Sequence, residues 1–90
     1  MRLTVYTQPS CGPCRATLRA FERHGVTPDR IVDIQTDPEA GAALRALGFT
    51  ATPVVELDYG DERPPLLWQG FDVGYIRHVV DALRAEAARG

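Results

Sequence analysis

Two cysteines stand three positions apart in Cys11-Gly12-Pro13-Cys14, and they are the whole cysteine content of the chain. A disulfide closing so short a loop removes little entropy from the unfolded chain, so the pair reads as chemistry and not as a staple. The chemistry that two neighbouring thiols offer is disulfide exchange. At the start of a helix the partially positive terminus favours a thiolate over a thiol, which assigns the nucleophile to Cys11. One turn along, Cys14 can attack the mixed disulfide that Cys11 makes, releasing reduced substrate and leaving a Cys11-Cys14 disulfide. Gly12 lets the backbone close tightly, and Pro13 starts the helix rigidly while withholding an N–H beside the sulfurs. This dipeptide tunes the reduction potential, and with it the direction of electron flow. A zinc site wants four ligands, whereas the chain adds only the widely separated His24 and His78 to the two cysteines. A non-catalytic interaction or metal-binding module stands as the reading from another class.

The elements around the pair follow from pattern and punctuation. RLTVYT alternates as a short strand that stops at Gln8-Pro9, and the loop TQPSCGP leads into a helix. That helix runs from Pro13, with Leu18 and Phe21 on its apolar face and His24-Gly25 as its stop. RIVDI is a second strand. Asp37 caps a second helix with Pro38 at its first position, Ala43, Leu44 and Leu47 lining one face, and Gly48 ending it. ATPVVEL is a third strand, DYGDERPP a polar turn, and LLWQ a fourth strand broken by Gly70-Phe71. Asp72 caps a last helix in which Val73, Ile76, Val79, Val80 and Leu83 recur at helical spacing, before an EAARG tail expected to fray. The order is βαβαββα: an α/β fold with parallel strands joined through helices, an antiparallel closing hairpin, and three helices flanking a four-stranded mixed sheet.

Ninety residues carrying 44% hydrophobic side chains, eleven of them alanine, suffice for one domain over residues 1–90 and one core. A formal charge of -2, with ten arginines and no lysine, argues against nucleic acid or a membrane surface as an electrostatically bound partner. No apolar stretch is long enough to span a membrane, and a soluble, cytoplasmic monomer is expected. Two readings are open for Trp68 and for Phe71: core packing or contact with a partner. Gly70 either keeps a surface by the cysteines open or is a turn glycine. Arg15, just after Cys14, either favours the thiolate and meets a partner or is simply exposed. Tyr6 reads as a packed strand aromatic near the cysteine loop, and neither histidine is given a catalytic role.

TVYTQPSCGPC, the strand order and Thr52-Pro53 together resemble the thioredoxin superfamily, in its small glutaredoxin-like branch, over nearly the whole chain. The resemblance implies a thioredoxin-like fold, a cis-proline at Pro53 beside the cysteine pair, and Thr52 offering backbone groups to an extended substrate. Classical thioredoxins carry tryptophan just before the first cysteine and a buried aspartate six residues before it, where this chain has Ser10 and Val5. Glutaredoxins that use glutathione carry a lysine shortly before the cysteines and a Gly-Gly followed by acidic residues. Here the counterparts are Gln8 and a single Gly70 before Phe71-Asp72, with Arg15 or Arg45 as substitute cations. The chain is similar to the NrdH-redoxin group in YTQPSC, in LGF followed by a proline strand, and in WQGF. It departs from that group at Gln8, at the two residues inside the cysteine pair and in the longer hairpin. That similarity implies no bound cofactor, electrons from NADPH through thioredoxin reductase, and protein disulfides as recipients, class Ib ribonucleotide reductase among them. A glutathione-dependent glutaredoxin is the alternative.

Overall fold

A computed structural model describes residues 1–90. The elements are β1 (Arg2–Thr7), α1 (Gly12–Arg23), β2 (Arg30–Asp33), α2 (Pro38–Ala46), β3 (Val54–Asp58), β4 (Leu66–Gln69) and α3 (Val73–Arg89). They build one sheet in the order β2-β1-β3-β4. β1 pairs parallel with β2 and antiparallel with β3, and β3 pairs antiparallel with β4. Strand-helix-strand connections were expected to join parallel strands, and only the first of the two does. After α2 the chain re-enters at the edge where β1 ends, with Val54 level with Tyr6, so β3 has to run back along β1. Gln69 at the end of β4 lies level with Val54 in turn. This register brings the end of β1, the start of β3 and the end of β4 to one edge of the sheet.

The strand alternation sorts side chains by face. Leu3 and Val5 of β1, Val55 and Leu57 of β3 and Trp68 of β4 form the core with Ala20 and Phe21 of α1 and Ile76, Val79 and Val80 of α3. The core thus lies between the sheet and the α1-α3 layer. On the opposite side, α2 buries Gly41 and Leu44, not the Ala43 and Leu47 expected from spacing. Leu47 is 64% exposed. Gly41 faces Ile34, where an added Cβ would lie at an ordinary 3.6 Å, so this face of the helix packs on the chain leaving β2.

Two further differences fall on the last helix and the third strand. Val73 is exposed, because it occupies the first turn of α3 beyond the sheet edge. The tail expected to fray is helical: α3 continues to Arg89, and the Met1 amine pairs with Glu86 at 3.1 Å. β3 begins at Val54, later than Ala51, because residues 51–53 leave the ladder to reach the cysteine loop. No helix is long and apolar enough to cross a membrane.

Candidate active site

β1 ends in a loop whose Ser10 adopts the left-handed backbone region, φ 59°, directly before the first cysteine. Cys11 then takes the extended conformation of a helix N-cap, and the Cys14 N–H donates to Cys11 Sγ at 3.1 Å. The sulfur thus occupies the place that a capping oxygen ordinarily fills, where a negative charge is favoured. Pro13 sits in the first turn, and Thr17, fully buried, donates its hydroxyl to Pro13 O at 2.8 Å. Cys11 and Cys14 are joined in a disulfide. Cys14 is 3% exposed, whereas Cys11 is half-buried and open on the solvent side.

Across from the sulfurs lies the segment leading into β3. The Thr52-Pro53 peptide bond is cis. Thr52 donates its hydroxyl to Cys11 Sγ at 3.5 Å, and Thr52 O approaches the same sulfur at 3.5 Å, where only a reduced, protonated Cys11 has a hydrogen to donate. Pro53 O accepts from the Gly70 N–H at 2.8 Å, which ties β4 to this segment. Gly70 has φ 87°, and a Cβ there would meet nothing within 4 Å, so the turn itself requires glycine and close approach of a neighbour does not.

The structure therefore brings Cys11, Gly12, Pro13, Cys14, Thr52, Pro53 and Gly70 to one edge. Phe71 stands beside them, 44% exposed. Trp68 is corrected to a core residue: it is 5% exposed, its indole N–H donates to Gly70 O at 3.2 Å, and its ring stacks on Tyr75 at 4.9 Å. Strand alternation points Trp68 into the α3 layer, which leaves no face for a partner. Arg15 is exposed on α1, with its Nη2 4.0 Å from where a Gly12 Cβ would stand. Neither histidine reaches the cysteines: His24 caps the end of α1, and His78 Nε2 lies 3.0 Å from Tyr59 Oη. Tyr6 lies on the sheet face near Glu56, and burial followed by the Glu56 carboxylate pushes its phenol above the ordinary range.

Two features of the edge escaped the sequence reading. A groove of about 520 Å³ opens between α2 and the Thr52 segment, lined by Leu44, Arg45, Phe49, Thr50 and Thr52 with Gln8 at its rim. The Gln69 side chain reaches back to Thr50, accepting from its N–H at 2.9 Å and lying 3.4 Å from its hydroxyl through Nε2. No local pattern signals either one, since both depend on which segments the fold sets side by side.

Two sulfurs that join reversibly, one buried and one reachable, supply two-electron exchange with another disulfide. The chain is a thiol-disulfide oxidoreductase on the thioredoxin fold, a redox carrier whose charge is stored in Cys11 and Cys14. The glutaredoxin family model matches residues 3–59, and the chain belongs to the glutaredoxin family. The glutaredoxin-like protein NrdH of Escherichia coli K12 is 40% identical over 88 residues, covering 98% of this chain and 100% of that protein. The protein of the same description from Salmonella typhimurium is 41% identical over 71 residues, 79% of each chain. Among solved structures, NrdH-redoxin from Escherichia coli, a glutaredoxin-like protein with a thioredoxin-like activity profile, superposes with a TM-score of 0.75 and 38% identity. That superposition covers 87% of this chain and 93% of that one.

Proposed function

We propose that this chain is an NrdH-like electron carrier, reduced by NADPH through thioredoxin reductase and donating to protein disulfides, with class Ib ribonucleotide reductase as the recipient. The observation that carries the reading is near full-length similarity to a glutaredoxin-like protein with a thioredoxin-like activity profile. In the donating direction, the Cys11 thiolate attacks one sulfur of the substrate disulfide. That bond breaks, the displaced substrate thiolate takes up a proton, and a Cys11-substrate disulfide remains. Cys14 then loses its proton and attacks Cys11 Sγ, expelling the second substrate thiolate and closing the internal disulfide. Substrate leaves reduced by two electrons, and the chain leaves oxidised by two. Thr52 and Pro53 orient the incoming disulfide, since the Thr52 carbonyl faces Cys11 and β3 begins only beyond Pro53. Gly70 and Phe71 border the same approach, and Arg15 meets the partner from α1. The carrier works as a cytoplasmic monomer without a bound cofactor.

One observation favours a second reading, a glutathione-dependent glutaredoxin. Arg45 lines the groove beside Thr52, where a guanidinium can pair with a glutathione carboxylate. Purified chain, NADPH and insulin, supplied with either thioredoxin reductase or glutathione plus its reductase, separate the two. Turnover with thioredoxin reductase is expected, and turnover with glutathione alone would overturn the first reading in favour of the second.

A further inference from the structure

The segment that faces Cys11 is held by very little. Gly48 and Phe49 are still fastened to α2, through N–H bonds to Arg45 O and Leu44 O, and Pro53 O is fastened to Gly70. Between them, residues 50–52 make no main-chain to main-chain hydrogen bond. Packing fixes only the far end of the segment, where Thr52 and Pro53 are buried; Thr50 and Ala51 are exposed beside the open groove. What holds the exposed part is the Gln69 side chain, whose Oε1 accepts from Thr50 N–H at 2.9 Å while Nε2 lies 3.4 Å from Thr50 Oγ1. At the far end of the segment, Thr52 meets Cys11 Sγ through its hydroxyl.

We propose that Gln69 is a positioning residue for protein-disulfide binding: from the end of β4 it clamps Thr50 and so fixes the exposed stretch that leads into Thr52 and Pro53 beside Cys11. This rests on the reading that those two residues receive the substrate. An amide is suited to the task because it offers an acceptor to the Thr50 N–H and a donor to the Thr50 hydroxyl at once. Releasing the clamp lets residues 50 and 51 sample positions in the groove, so an extended substrate must order them again when it binds. The cost then falls on binding, and the sulfur chemistry is left as it was.

The test uses the full chain with excess dithiothreitol as reductant, which removes any dependence on the natural donor, and insulin as the protein disulfide. Gln69→Ala and Gln69→Met, the latter keeping length without the amide, are expected to raise KM about three- to tenfold, with kcat changed by no more than about twofold. Gln69→Glu accepts from both the N–H and the hydroxyl of Thr50, and should restore KM to near the wild-type value. An unchanged KM in Gln69→Ala, a loss confined to kcat, or a Gln69→Glu variant as impaired as Gln69→Ala would overturn the proposal. A wild-type chain unable to reduce insulin under these conditions would overturn the parent reading of the site, and the proposal with it.

Discussion

Cys11 receives the Cys14 N–H and the Thr52 hydroxyl at its sulfur, and both contacts favour a charged sulfur over a neutral one. Cys14, buried beneath the same turn, receives neither. The two thiols are therefore unequal before any partner arrives, and the inequality follows from their positions at a helix start. The cysteines and Pro53 were legible in the sequence because their types and spacing are unusual in themselves. Ser10 was not: a serine in the left-handed region carries no mark that separates it from a serine in an ordinary turn. Tyr6 was legible as a strand aromatic but not as a titrating group, since its raised phenol comes from burial and from Glu56 on a neighbouring strand. A pKa raised in the folded state means that the fold favours the neutral phenol. Its contribution to stability is full below the unfolded value near 10 and is lost as pH rises through the folded value. The chain has no lysine, which leaves Tyr6 easier to follow in the alkaline range. Tyr6→Phe should lose less stability than the wild type between about pH 9 and 11, as read by urea unfolding; equal losses would contradict the assignment.

All three helices open in the same way, with a side chain accepting from the third N–H. Asp37 accepts from Ala40 at 3.1 Å and Asp72 from Tyr75 at 2.9 Å, while α1 uses Cys11 accepting from Cys14 at 3.1 Å. Two helices spend the position on stability, and the first gives it to the reactive sulfur. The aspartate caps were readable because Asp before Pro, or before an apolar repeat, is a local signal. Asp72→Ala should cost about 1 kcal/mol, lowering Tm by about 4–8 °C for a chain of this size; a thermal melt with no shift would contradict the cap. The face of α2 was not readable, because spacing alone could not choose between Leu47 and Gly41. Contact with the chain leaving β2 made the choice. The direction of β3 was hidden for a similar reason: it depends on the edge at which the chain returns, and no residue inside β3 encodes that.

At the scale of the whole molecule, the sheet order β2-β1-β3-β4 gathers the active residues. Three segments far apart in sequence, 7–14, 50–53 and 69–71, end at one edge because β1, β3 and β4 are level there. The core of Leu3, Val5, Phe21, Val55, Leu57, Val79 and Val80 lies behind that edge, so the chemistry rests on rigid packing while the sulfur of Cys11 stays reachable. Trp68 illustrates the same division: its place in β4 turned an open choice between core and partner into core. The central claim is that Cys11 attacks and Cys14 resolves. Incubating Cys14→Ser with insulin under non-reducing conditions, followed by mass spectrometry and peptide mapping, tests it directly. The account predicts a stable mixed disulfide at Cys11 and none in Cys11→Ser. An equal adduct at Cys14 in Cys11→Ser, or wild-type turnover by Cys14→Ser, would contradict it.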